Sequence, residues 1–318
     1  MPVMAIERHV ICLTGAFGFI GQHLLPMLIG QGVTVRILTR NVGRNAVEGV
    51  ETHVGDLFDP ISLGAFLADA RLLINLAHPS GQLSDERYSE GIGNLAKAAK
   101  QAGVHRVLHI STAMVVGVPP QRVVSESTTE HPVTDYERQK LNAEKIFHRE
   151  LHGIADLGIL RPTAVFGRGG QNLLKLAGTI AGNSFFSRRL FRFIHGQRHM
   201  HLVSVNEVVA AIVFLAFGKR PLEGNVFLIS ADDEPTNHYQ AVDSILGAVL
   251  GKPMPDSGLC LPATVLKTLL KLVGRSQADP RLIYDAGKLY SWGFRRSVDF
   301  EAELQYFAQN YLAENCTS

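Results

Sequence analysis

Apolar residues in the first half of the chain fall into short runs that alternate with stretches of helical periodicity. Val10 to Leu13 is a continuous apolar run that breaks at Thr14-Gly15, and a helical apolar pattern follows from Phe19 through Leu28. Val33 to Leu38 (VTVRIL) predicts a second strand, and the segment ending at Val54-Gly55-Asp56-Leu57 a third. Leu72 to Ala77 (LLINLA) is almost wholly apolar, as expected of a central parallel strand covered on both faces. Arg106 to Ser111 (RVLHIS) and Ile159 to Val165 (ILRPTAV) read as two more strands. Helices are predicted at Pro60 to Ala68, Asp85 to Ala102 and around Tyr136 to Lys140. Such alternation predicts an α/β fold of right-handed βαβ units on a parallel sheet. Ligands in such sheets bind beyond the carboxyl ends of the strands.

Beyond Val165 the pattern changes. Gly167-Arg168-Gly169-Gly170 reads as a flexible turn, and Ser187 to His201 (SRRLFRFIHGQRHMH) is dense in Arg, His and aromatics. That stretch reads equally as a solvated hairpin with snorkelling cations or as a pocket for an anionic, diphosphate-bearing substrate. His201 to Val205 and a helix at Val208 suggest a return to the main domain, and Val226 to Ile229 a further strand. Helices are expected at Tyr239 to Leu250, near Ala263 to Val273 and from Phe300. The Leu266/Leu269/Leu270/Val273 stripe is expected to face a core rather than a membrane. No internal repeat, low-complexity tract or metal-ligand cluster stands out.

Bulk composition narrows the class. The 318 residues leave room for roughly two domain-sized units, or one large α/β domain with an appendage. With 46% hydrophobic and 19% charged residues the chain can bury a sizeable core and is not disordered. A formal net charge of +2 gives no electrostatic case for nucleic acid or an acidic partner. Cys12, Cys260 and Cys316 are odd in number and far apart, and Cys12 falls inside a predicted strand, which favours a reduced, cytosolic setting. The start MPVMAIERHV lacks the apolar core of a signal peptide, and Val208 to Phe217 is too short to span a bilayer. The expectation is a soluble cytoplasmic protein without a membrane span.

Candidate chemistry begins at the first strand–helix junction, where Gly15, Gly18 and Gly21 are spaced G-x-x-G-x-x-G. The first glycine permits a tight turn, the second lets backbone approach a pyrophosphate, and the third allows close helix–strand packing. Phe19 and Ile20 open the helix whose N–H groups would face that pyrophosphate. At the end of the second strand, where a dinucleotide fold usually has an acid, stands Thr39 followed by Arg40, with Arg44 close by. A guanidinium there can clamp a 2′-phosphate, favouring NADP with NAD as the alternative, unless both arginines are ordinary loop charges. Asp56, followed by Leu57, could accept a hydrogen bond from an adenine or cap its own turn. Leu76 and Ala77 lead into His78-Pro79-Ser80-Gly81, a loop placed to line the phosphate and nicotinamide end. His78 reads as a solvated loop histidine more readily than as a substrate contact; Ser80 is a substrate candidate. Ser111-Thr112 lies at another strand end. Tyr136 and Lys140, four apart, share one helix face, where a nearby ammonium favours the phenolate. A phenol so tuned can exchange a proton with a carbinol or ketone oxygen while hydride moves, and a hydroxyl from Thr112 or Ser111 could hold that oxygen. Pro162, beside Arg161, is placed near the cofactor, and Asn172 on the substrate side.

Taken together, TGAFGFIG, Asp56-Leu57, LLINLA, HISTAMVVG, Tyr136/Lys140 and ILRPTAVFG resemble the extended short-chain dehydrogenase/reductase superfamily. The likeness is to its NAD-dependent epimerase/dehydratase branch, which acts largely on nucleotide sugars. It implies a Rossmann-type doubly wound parallel sheet with helices on both faces, over residues 1–166 with 201–218 returning to it. A smaller, mixed α/β substrate domain would take 167–200 and 219–318. Tyr136 is then the acid/base, Lys140 the ribose anchor and pKa modulator, and Thr112 the orienting hydroxyl. A homodimer through the helices at 85–102 and 136–152 is also implied. Three positions depart from the pattern: Thr112 replaces serine, Val116 replaces the tyrosine of a V-Y-G turn, and Met200-His201 stands where an Arg-Asp pair is common. Any diphosphate clamp would fall to Arg192 or Arg198. Ala113-Met114 supplies no acid for eliminating water, which disfavours dehydration. The expected function is reduction or epimerisation of a nucleotide sugar, for instance at a 4-keto group. The basic 188–198 stretch favours that reading, while the apolar 259–273 segment favours a reductase of an apolar ketone of hydroxysteroid or flavonol type. A dinucleotide-binding sensor or scaffold is the non-enzymatic alternative, and the Tyr136/Lys140/Thr112 set argues against it.

Overall fold

The apolar runs and amphipathic segments resolve, in a computed structural model, into strands and helices that alternate through the first half of the chain; residues 10–41, 47–78, 83–182, 185–255, 259–272 and 279–315 are described. In order these are β1 (Val10–Thr14), α1 (Phe19–Ile29), β2 (Thr34–Thr39), β3 (Val50–Val54), α2 (Pro60–Phe66), β4 (Ala70–Asn75), α3 (Asp85–Gln101) and β5 (Arg106–Ile110). There follow β6 (Val123–Val124), α4 (Asp135–Leu151), β7 (Asp156–Pro162), β8 (Ala164–Phe166), α5 (Leu174–Gly182), α6 (Phe185–His195), β9 (Leu202–Ser204) and α7 (Val205–Phe217). The chain then runs through β10 (Asn225–Ile229), α8 (Tyr239–Val249), α9 (Ala263–Leu272), β11 (Ile283–Tyr284), α10 (Gly287–Ser291) and α11 (Phe300–Asn315).

Seven strands form one parallel sheet in the order β10-β7-β5-β4-β1-β2-β3. Winding reverses between β1 and β4, which pair directly with Leu13 opposite Ile74. A reversal of this kind opens a crevice at the strands' carboxyl ends, and it is here that the glycine turn lies. β1 and β5 are buried along their whole length, as strands covered on both faces must be. Under them Cys12, Phe66, Leu73, Ile92, Val107 and Phe147 share one core. The Cys12 thiol donates to the Phe66 carbonyl at 3.1 Å, and burial pushes its pKa up to about 12.

Two compact units divide the chain. The first takes residues 1–111, 134–161 and 209–226; the second takes 112–133, 162–208 and 227–318. The cut therefore falls near 111 and 161 rather than at 166, and residues 112–133 join the second unit. Within the first unit Arg106 is buried and ties its separate segments together. Its guanidinium pairs with Asp156 at 2.7 Å and donates to the carbonyls of Leu215 at 3.0 Å, Gly218 at 2.5 Å and Arg220 at 3.1 Å. Asp156 in turn accepts from the Leu222 and Glu223 N–H groups at 2.5 and 3.0 Å.

Several expectations need correction. The apolar run Ile159 to Val165 is not one strand: β7 stops at Pro162, and β8 begins at Ala164 to pair with β9, Ala164 opposite Leu202. Proline has no N–H to continue a ladder, and Thr163 N–H turns to the Ile229 carbonyl at 3.1 Å. The basic stretch is not a hairpin. Its first part is helix α6, with Arg188 and Arg192 pointing inward. The 263–273 stripe splits: Leu266 and Leu270 are buried against Ile194 and Leu261, while Leu269 is exposed; Val273 and Cys316 lie outside the described residues. Among the described residues no helix is long and apolar enough to cross a membrane, and no group of three or more His, Cys, Asp or Glu is placed to hold a metal.

Candidate active site

The β1–α1 turn is shaped by what a side chain would strike. Gly15 has φ +71°, and a Cβ there would lie 2.9 Å from the Leu76 carbonyl carbon. At Gly21 a Cβ would lie 2.6 Å from the Ala16 carbonyl oxygen, so only glycine lets α1 approach the turn this closely. Gly18 caps α1 without a side-chain hydrogen bond, leaving first-turn N–H groups for an anion. Beside this turn lies a cavity of about 540 Å3. Gly15, Gly18, Arg40, Asp56, Leu57, Leu76, Ala77 and His78 line it. Phe19 and Ile20 are half-buried in α1 outside the lining, and Ala16 and Phe17 take the wall instead. Arg44 and Ser80 lie outside the described residues. Asp56 caps its own turn, accepting from Phe58 N–H at 2.9 Å, while still lining the cavity.

Behind the wall a buried polar relay fixes the ends of β1 and β4. The Thr14 hydroxyl donates to Asn75 Oδ1 at 2.5 Å, the Asn75 amide meets His109 Nδ1 at 3.0 Å, and Ala77 N–H returns to Asn75 Oδ1 at 3.2 Å. His109 is fully buried, and burial together with the charge of Lys140 holds its pKa well below the usual value. A glycine cradle around an anion-accepting helix end, next to a cavity of this size, fits an adenine dinucleotide. No acid stands at the end of β2, where Thr39 and Arg40 form the wall.

The start of α4 is fixed by a capping box: the Thr134 hydroxyl accepts from Glu137 N–H at 3.2 Å, and the Glu137 carboxylate accepts from Thr134 N–H at 3.2 Å. One turn separates Tyr136 from Lys140. Tyr136 is 44% exposed, its ring edge-on to that of His78 at 5.1 Å, which brings it beside the cavity wall. Desolvation and the charge of Lys140 lower the His78 pKa to about 4, so this ring is neutral near pH 7. Lys140 is buried, and Nζ donates to the Ile110 carbonyl at 3.1 Å. Burial lowers its pKa to about 8 against the opposing pull of Glu144. Two hydrogens of its ammonium remain for other acceptors.

Glu144, a further turn along α4, was not singled out from the sequence. It is buried and accepts two bonds from Arg161, at 3.0 and 2.6 Å, and one from the Ser111 hydroxyl. Ser111 therefore turns its hydroxyl to Glu144 rather than outward to a cofactor, and Arg161 is likewise buried in the pair. A charged residue inside the apolar run ILRPTAV was the sequence signal for such a pair.

The remaining candidates belong to the second unit. Thr112 is buried and opens a 3-10 turn over Ala113–Val116, its Oγ1 accepting from Met114 N–H at 3.2 Å. That leaves the hydroxyl hydrogen to donate. Pro162 is buried at the end of β7, and the exposed Asn172 donates its amide to the Val165 carbonyl at 2.6 Å. Arg192 is not an open clamp: its side chain is 2% exposed and reaches Asp243 at 3.1 Å, beside Arg188 at 2.8 Å from the same carboxylate. Arg198 is half-buried in the turn after α6, its N–H on the His195 carbonyl at 2.8 Å. At the departing Met200-His201 position, His201 Nδ1 lies 2.6 Å from Asp232.

The NAD dependent epimerase/dehydratase family matches residues 11–229. Sterol demethylase protein B of Methylococcus capsulatus is 30% identical over 232 residues, 69% of each chain. UDP-glucose 4-epimerase of Vibrio cholerae is 27% identical, over 86% of this chain and 84% of its own. UDP-glucuronic acid 4-epimerase from Bacillus cereus, solved in complex with NAD, superposes with a TM-score of 0.73 at 18% identity, over 97% of this chain and 98% of its own. The chain therefore belongs to the NAD-dependent epimerase/dehydratase family of extended short-chain dehydrogenases/reductases and is an NAD(P)-dependent enzyme.

Proposed function

We propose that the protein reduces or epimerises a nucleotide-activated sugar at a carbonyl or carbinol carbon, with Tyr136 as acid/base. The observation that carries this is Tyr136 standing beside the cavity wall at His78 with a buried lysine one turn behind it. When bound, the nicotinamide supplies or takes up hydride. Tyr136 gives a proton to the substrate oxygen, or takes one from it, at its phenolic oxygen. Lys140 keeps an ammonium near that oxygen below about pH 8 and offers its remaining hydrogens to ribose hydroxyls. Thr112 serves as the hydroxyl that orients the substrate oxygen. Gly15, Gly18 and the first turn of α1 take the pyrophosphate. Arg40 on the wall, with no acid at the end of β2, supports a preference for NADP over NAD. The nucleotide-sugar reading is supported by the likeness to UDP-glucose 4-epimerase across most of both chains.

A second reading, reduction of an apolar ketone, is favoured by Arg192 turning inward to Asp243 and by the likeness to a protein named for sterol demethylation. Single-turnover oxidation of enzyme-bound NADPH distinguishes the two. Reaction with a UDP-4-keto-sugar supports the first reading. Reaction only with a ketosteroid moves the assignment to the second. No reaction with either class, with NADH or NADPH bound, would remove both substrate readings.

A further inference from the structure

Three anchored elements of the first unit meet at one imidazole. His78 follows directly on β4, whose end is tied down by Leu76 N–H on the Thr14 carbonyl at 3.2 Å and Ala77 N–H on the Thr14 hydroxyl at 3.3 Å. One neighbour of its ring is Tyr88 of α3, 1% exposed, with the ring centroids 5.2 Å apart. The other is Tyr136 of α4, edge-on at 5.1 Å and 81°. The starts of these two helices are locked to each other. The Gln139 amide donates to the Leu83 carbonyl at 3.2 Å and to the Asp85 carboxylate at 3.0 Å. The Ser84 hydroxyl caps α3, accepting from Arg87 N–H at 3.2 Å. His78 thus links a fully buried tyrosine to one that stands partly in the open.

Neither His78 nor Tyr88 is suited to carry a proton. Burial and the charge of Lys140 keep the imidazole uncharged near neutral pH. Burial, with Tyr136 nearby, raises the Tyr88 pKa above the ordinary phenol value, and its hydroxyl has no hydrogen-bond partner among the described residues. What the two rings offer is shape. A phenol 44% exposed on the first turn of a helix can sample several side-chain rotamers, whereas proton transfer requires its oxygen in one orientation. An edge-to-face ring contact selects among them. We infer that His78 is a positioning residue for Tyr136: fixed at the end of β4 and packed on the Tyr88 ring, its own ring holds the phenol in the orientation that proton transfer needs. The inference rests on the assignment of Tyr136 as acid/base given above. An uncharged imidazole adds no second cation at the phenol and leaves that part to Lys140.

The order of the Tyr136 ring provides the test and needs no substrate. In protein with isotope-labelled tyrosine rings, the Tyr136 signals are those missing from Tyr136→Phe, and their NMR relaxation measures how tightly the ring is held. The parent should show an ordered ring. His78→Ala should loosen it, and His78→Phe, which restores a ring without a titrating group, should return the order. Tyr88→Phe should leave the Tyr136 ring ordered and unfold no earlier in urea, because it keeps the contact and removes only an unpartnered buried hydroxyl. Single-turnover oxidation of bound NADPH by the UDP-4-keto-sugar or the ketosteroid adds a kinetic reading. His78→Ala should be slower by roughly two- to tenfold, the range one such ring contact is worth. Its dependence on pH should keep the parent's shape, and His78→Phe should recover most of the rate. A Tyr136 ring as ordered in His78→Ala as in the parent overturns the inference. So does a His78→Phe no better than His78→Ala, which would make the imidazole nitrogens the essential part. A parent that oxidises NADPH with neither substrate counts against the proposed function, and the ring order still decides this inference.

Discussion

At Lys140 burial and the Glu144 carboxylate pull in opposite directions, and burial prevails, leaving an ammonium that loses its proton near pH 8 instead of 10.5. The unfolded chain therefore holds one more proton than the native state between those values, so stability climbs as pH rises from about 8 towards 10.5. Below pH 8 both states are protonated and the cost of the buried charge is full and constant. Urea titrations across this interval should show the climb in the parent and a flatter profile in Lys140→Met. Turnover should behave in the opposite sense and decline above about pH 8, where the ammonium is lost. Tyr136→Phe keeps the ring and its contact with His78, so the fold and cofactor affinity should survive. Its turnover should drop about 10²–10⁴-fold, the usual contribution of general acid–base catalysis, and a single-turnover rate equal to the parent's would remove Tyr136 from the chemistry. Glu144→Gln leaves the Arg161 guanidinium buried without its charge partner. The expected loss is roughly 3–5 kcal/mol in chemical denaturation.

The β1–α1 junction and α4 were the elements most legible in the sequence, because their constraints are local. A glycine at φ +71° and one packed against the Ala16 carbonyl announce themselves as spacing, and Tyr136 and Lys140 need only one helix. Gly21→Ala should abolish cofactor-induced fluorescence changes and destabilise the fold, since the added carbon meets backbone and not a movable side chain. Thr134→Ala, which opens the capping box before Tyr136, should cost about 1 kcal/mol, measurable as a lower denaturation midpoint. Elements whose form depends on distant partners were harder to read. The run ILRPTAV looks like one strand until β9, some forty residues on, takes its second half. Arg188 and Arg192 have the spacing of a solvated face, and only Asp243 on α8 turns them inward. Glu144 has nothing in the sequence to mark it, and its junction with Ser111 and Arg161 needs α4, β5 and β7 to be in place.

The whole molecule is two units threaded through each other in sequence, and the first is assembled from three separate segments. Arg106 shows what that requires. Its guanidinium is satisfied by carbonyls at Leu215, Gly218 and Arg220, so a chain ending before residue 209 would leave a buried cation short of acceptors. A fragment of residues 1–200 should therefore lack a cooperative unfolding transition. During synthesis the same arrangement imposes a delay. While residues 162–208 emerge from the ribosome, β7 remains an uncovered edge, because β10 has yet to be made. The nascent chain must carry that open edge through some sixty further residues, a few seconds of translation at ordinary rates. A protein wired this way depends on being kept from its neighbours while it is made, and its yield should respond to chaperone supply more steeply than its finished stability would suggest.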